Sequence, residues 1–251
     1  MRFMVAHKLM KEIEEATGPA DPELVKNMGG LIGESIKAGV FQTGAGLRQS
    51  AFRTRLTFKG RECIVKQGPY PGSNELLAGF AMIKVKTKDE AIDWARKYAG
   101  VVGDVDLELG LVVEGWDLQG KPKPPEAPLR FLILHMADEA TEAETPPSPA
   151  ERERMGALLA EMQKAGVLEW AEGVRPSALA SRVTFKGKKH TVVDGPFAES
   201  KEVISGFSLI KVATKEEALA WVERYGTILG DIEVDLLRLH DEAAFSGPRP
   251  V

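Results

Sequence analysis

The sequence predicts an α+β fold: two tandem ferredoxin-like domains packed sheet to sheet as an intrachain pseudo-dimer. Three observations point there. Met28 to Tyr98 returns without gaps as Met155 to Tyr225, nearly half of its positions identical. Each copy carries the same string of strand, helix, several strands, helix and final strand. Short strands of this apolar content also need cover on the sheet face that their own helices leave bare. Separate copies, each pairing with another chain in a homo-oligomer, would meet that need equally well.

Taken in order, Phe3 to His7 and Phe131 to His135 read as first strands, with the His on the parity of Phe3 and Val5, or of Phe131 and Ile133. Polar stretches follow, and Asp138 to Pro149 reads as a mobile loop. Helices are expected around Leu24 to Ala38 and Glu151 to Ala165, ending at Gly39 and Gly166. Thr54 to Phe58 and Arg182 to Phe185 are strands, turning at Lys59-Gly60 and Lys186-Gly187 into Cys63 to Lys66 and His190 to Val193. Phe80 to Val85 and Phe207 to Val212 are strands that lead to Thr87 and Thr214. Each Thr is an N-cap followed three residues on by Glu90 or Glu217. Trp94 and Trp221 read as core anchors, and Leu107 to Val113 and Ile232 to Leu239 as last strands.

The proline-rich QGKPKPPEAP at Gln119 to Pro128 marks a linker. The expected division is therefore 1–118, a linker 119–128, a second domain 129–241 and a tail 242–251. The net charge of −4 with interspersed signs argues against a nucleic-acid footprint. Cys63 is the single cysteine, which fits a reducing, cytoplasmic setting, and no stretch has the length of a membrane span.

The segment VVDGPFAESKEVISGF, from Val192 to Phe207, resembles the signature of YCII-related (DGPF-domain) proteins. GVRPSALASRV at Gly173 and EEALAWVERY at Glu216 extend the resemblance over the second copy. The first copy is similar through QGPYPGSNELLAGF. The resemblance implies a ferredoxin-like domain of the dimeric α/β-barrel superfamily. It also implies enzymatic roles built around a His and an Asp, without a general reaction.

Asp194 stands directly before Gly-Pro, where a carboxylate can fix a turn or point into a cleft. Its counterpart Gln67 cannot act as a base, so an acid-base site here would exist once per chain. His135 and its counterpart His7 lie on an apolar face, as core groups or as imidazoles with tuned pKa. Arg175 and Arg48 precede Ser177 and Ser50, a candidate anion-binding corner, and Glu202 survives duplication as a ligand or His-orienting group. No metal-ligand spacing, phosphate loop, dinucleotide fingerprint or serine elbow is present.

The expected function is lyase or isomerase-like proton transfer on a small molecule. Asp194 and His135 would be catalytic, Arg175, Arg48, His7 and Glu202 would bind, and no cofactor would be required. The alternative is a non-catalytic metabolite-binding or regulatory module.

Overall fold

The computed structural model describes residues 1–9, 14–15, 21–69, 76–197 and 203–241. The first repeat runs through β1 (Arg2–Lys8), α1 (Pro22–Lys37), β2 (Phe41–Gly46), β3 (Thr54–Lys59) and β4 (Glu62–Gln67). β5 (Leu77–Val85), α2 (Lys88–Val102) and β6 (Val105–Leu111) complete it. The second repeat starts with β7 (Leu129–Met136), α3 (Pro149–Lys164), β8 (Leu168–Gly173), β9 (Ser181–Lys186) and β10 (Lys189–Asp194). It ends with β11 (Ile204–Lys211), α4 (Lys215–Leu229) and β12 (Glu233–Arg238).

Local chemistry sets these bounds. Thr87 and Thr214 accept the backbone N–H of Glu90 and Glu217, and Ser148 with Glu151 forms a reciprocal cap on α3. Pro22 and Pro149 open α1 and α3, where their missing N–H costs nothing. Both helices stop at a glycine of positive φ, Gly39 at 71° and Gly166 at 68°. Within the Asp138 to Pro149 stretch, expected as a loop, Glu139–Glu142 form a single helical turn capped by Asp138.

The strands build two antiparallel six-stranded sheets, and neither sheet follows the repeats. Sheet one has the order β10-β9-β12-β1-β11-β2, and sheet two β4-β3-β6-β7-β5-β8. The repeats have exchanged their first two strands: β1 and β2 complete the sheet of the second repeat, β7 and β8 that of the first. The linker therefore joins β6 to its own sheet neighbour β7, and none of its residues is buried. The division at 119–128 holds for the duplication but not for the sheets. Equivalent pairings explain why the exchange is tolerated: His135 faces Leu107 just as His7 faces Val234, its counterpart.

Three cores separate four layers. The central one takes Met4, Phe207 and Leu209 from sheet one and Phe80, Met82 and Leu132 from sheet two, so the sheets pack face to face. Phe80 and Phe207 meet across it with ring centroids 6.1 Å apart. A second core joins sheet two to α2 and α3, and a third joins sheet one to α4. Alternate residues of β1 thus serve different layers: Met4 and Ala6 the centre, Phe3 and Val5 the helix side.

Charge is also buried at the strand ends. Arg53, fully buried, donates Nη1 to Glu108 at 2.7 Å and Nη2 to the carbonyl of Ile204 in the opposite sheet. Arg55 donates to the second Glu108 oxygen at 2.9 Å. The counterpart of Glu108 is Asp235, paired with Lys8 at 2.7 Å and Arg182 at 2.8 Å. Burial pushes the Asp235 carboxyl up, but Lys8 and Arg182 outweigh it and hold the group below the ordinary value. The second cation comes from different elements. Arg53 is matched by Ala180, and Lys8 by Met136.

Candidate functional site

Asp194 closes the β9–β10 hairpin onto α4. Its Oδ1 accepts from Ser181 Oγ and from Lys215 Nζ, both at 2.7 Å. Gln67 Oε1 accepts from the equivalent Thr54 Oγ1 at 3.0 Å and Lys88 Nζ at 2.8 Å. An amide oxygen therefore does in one repeat what the carboxylate does in the other, which is what a strap requires and a base forbids. The Lys215 and Ser181 hydrogen bonds hold the exposed Asp194 carboxyl below its usual pKa. Asp194→Asn should change stability at pH 7 by less than about 1 kcal/mol, since exposed pairs contribute little. A depressed carboxyl pKa stabilises above the unfolded value and loses that contribution as pH falls through the folded one. The wild type should thus lose its small advantage only in acid, which urea denaturation at pH 7 and pH 3 checks.

Gly195, next in the motif, has a steric reason. A Cβ built on it would lie 1.8 Å from the carbonyl oxygen of Ser177, and on Gly68 at the same distance from that of Ser50.

At the expected anion corners the protein's own carboxylates accept from the serines. Glu142 accepts from Ser177 N at 3.1 Å and from Ser177 Oγ at 2.6 Å. Glu14 makes the equivalent bonds to Ser50. Arg175 pairs with Glu144 at 2.6 Å, and Arg48 with Asp117. Neither arginine therefore presents a vacant guanidinium. Glu202 lies outside the described residues.

The structure does not bring His135 and Asp194 together. His135 projects from sheet two toward α2, where its Nδ1 meets Tyr98 OH at 2.9 Å. Asp194 is on sheet one, bonded to the start of α4. Packed sheets lie about 10 Å apart, beyond hydrogen-bond reach. Through the strand exchange His7 shares the sheet of Asp194, but β12 and β9 intervene. Three strand spacings put them about 14 Å apart.

The two His faces differ. His135 is closed by Tyr98, and burial lowers its pKa while the Asp138 charge opposes this. His7 stacks on Tyr225 with ring centroids 5.8 Å apart, but Tyr225 OH instead meets Ser208 Oγ at 3.2 Å. Among the described residues the buried His7 Nδ1 has no hydrogen-bond partner, although the side chain as a whole keeps some exposure. Burial lowers the His7 pKa to about 4 and raises that of Tyr225. Tyr98 is raised in the same way.

Beside Tyr225 lies a cavity on the helix side of sheet one, with Val5, Ile32, Ser35, Ser208 and Trp221 also in its wall. It leaves about 20 Å³ open to the centre of a water molecule, room for roughly one water as it stands. Its origin can be read from the repeat. Ser35 occupies the place of Met162, which is buried in the core of sheet two, and Ser208 the place of Ala81. One exchange removes volume and the other adds a hydroxyl. Ser35, Ser208 and Tyr225 are the site residues that motif reading missed; comparing the copies at these positions was the available signal.

Among the described residues no cluster of His, Cys, Asp and Glu could hold a metal ion, and no helix is long and apolar enough to cross a membrane. Residues 129–232 match the family model of the YCII-related domain. That match covers the second repeat from β7 to the edge of β12, and so spans parts of both sheets. No curated protein and no solved structure matches the chain.

Proposed function

We propose that this protein, whose second repeat is similar to the YCII-related domain, is a small-molecule binding module with its site under α1 and α4 on sheet one. One observation carries the reading. The repeat-equivalent space of sheet two is filled by Met162, whereas that of sheet one, with Ser35 and Ser208 in its wall, is hollow. In this reading Asp194 is a strap, and Arg175 and Arg48 hold loops. The pseudo-dimer then needs no second chain to cover its central face, and the lone Cys63 suits a cytoplasmic setting.

The test is a thermal-shift screen of uncharged metabolites on the wild type and on Ser35→Met, which restores the residue of the other repeat. Stabilisation present in the wild type and absent in Ser35→Met supports the site. Stabilisation that persists in a folded Ser35→Met variant places the ligand elsewhere and defeats it.

A second reading, acid-base lyase or isomerase chemistry, is favoured by His7. An imidazole with pKa about 4 is neutral at physiological pH and able to accept a proton, and its ring lies tilted against that of Tyr225. Turnover lost in His7→Gln with binding retained would select it.

The His7 pKa makes its own prediction. The unfolded chain takes up a proton near 6.5 that the native His7 refuses until about 4. This contribution to stability is full above 6.5 and is lost as pH falls through that window, by at most about 3 kcal/mol. Imidazole NMR titration should find His7 far below a free histidine.

A further inference from the structure

Leu31 lines the cavity and also a groove of about 540 Å³ between α1 and α4, whose walls include Lys26, Gly30, Glu34 and Arg224. It is the residue common to both spaces. α1 buries the same two positions as α3, but where α3 has Leu158 and Met162 it has Leu31 and Ser35, so one of its two anchors is a small polar residue, and Ile36 is 56% exposed. Gly30 and Gly33 stand where α3 has Ala157 and Ala160, although a methyl group at either would touch nothing. Packing does not demand these glycines, and they weaken the helix that carries Leu31. Across the groove Arg224 pairs with Glu34, both well exposed.

The lining also restricts what could enter. Val5, Leu31, Ile32, Phe41, Ile210 and Trp221 are apolar, and among the described residues no charged side chain faces the cavity. Ser35 Oγ donates to the carbonyl of Ile32 at 2.8 Å, which leaves its lone pairs as acceptors. Ser208 and Tyr225 share one hydrogen bond; both keep acceptor capacity, and whichever accepts also keeps its own O–H to donate. A charged ligand would lose its hydration without gaining a counter-ion.

Resting on the binding reading above, we infer that α1 is a pliable lid, that Leu31 is the gate between groove and cavity, and that the ligand is uncharged, with a compact apolar body bearing one hydrogen-bond donor.

Phenol, toluene and benzoate are similar in size, differ in donor and charge, and each exceeds the one-water space, so that binding any of them requires α1 to move. Their binding can be followed through the methyl NMR signals of Ile32 and Ile210 in the full chain. Phenol should bind at least about fivefold more tightly than toluene, the value of one hydrogen bond, and benzoate should not bind. Leu31→Ala should speed phenol association. Gly30→Ala combined with Gly33→Ala should slow it about tenfold or more by depopulating the opened helix. The paired alanines test the gate independently should Leu31→Ala fail to fold. Equal affinity for phenol and toluene overturns the ligand class. Unchanged association in the paired-alanine variant overturns the lid and gate. In both cases shifts at Ile32 and Ile210 leave the site itself standing. Silence at both methyls with all three probes, in the wild type and every folded variant, removes the site along with the gate.

Discussion

Arg53→Ala should lower the unfolding free energy by about 3–5 kcal/mol, the usual cost of removing one partner from a buried ion pair. Both Arg53 and Glu108 are fully buried, so the carboxylate left behind cannot recover water. The Ile204 carbonyl loses its donor from the opposite sheet in the same step. Arg55 remains beside Glu108, and at 13% side-chain exposure it softens the loss without cancelling it. Arg53→Met combined with Glu108→Leu should recover much of the stability, because the charge is removed together with its counter-charge. Lys8→Met, which copies Met136, should destabilise through Asp235, and adding Ala180→Arg should restore a cation by the route sheet two already uses. Urea denaturation of the series measures each effect. Arg53→Ala within about 1 kcal/mol of wild type would mean that the pair contributes nothing net.

Gly195→Ala should cost at least about 3 kcal/mol or prevent folding. Its methyl would fall 1.8 Å from the Ser177 carbonyl oxygen, and the obstacle is backbone rather than a movable side chain. Gly68→Ala meets the Ser50 carbonyl at the same distance, so the two variants should fail together. Gly156→Ala provides the contrast. That glycine lies within α3 with nothing within 4 Å of an added Cβ, and the substitution should stabilise by about 0.5–1 kcal/mol. Thermal or urea unfolding reads the same chemical change with opposite signs.

Much of the fold was legible because its determinants are local. The threonine caps, the glycines ending α1 and α3 and the Lys-Gly hairpins each act within a few residues. β2 and β8 were harder to read. FQTGAG carries two glycines and little apolar alternation, and its strand forms by pairing with β11. The strand exchange left no mark on the sequence, because in a duplicated chain each strand meets the same kind of neighbour in either arrangement. That ambiguity also hid the site. His135 and Asp194 share a repeat in the sequence, yet the fold sets them in different sheets. Ser35 against Met162 was visible all along, but its meaning depends on which sheet α1 covers.

The exchanged strands also impose a schedule on synthesis. Everything sheet two needs lies between β3 and β8, so that sheet can be complete before residue 181 is made. β1 and β2 are translated ahead of every strand of sheet two, yet the strands they pair with, β11 and β12, come after all of them. That early segment must wait, unpaired, while the whole of sheet two is made. The two glycines of β2 make it a poor template for wrong pairings while the segment is idle.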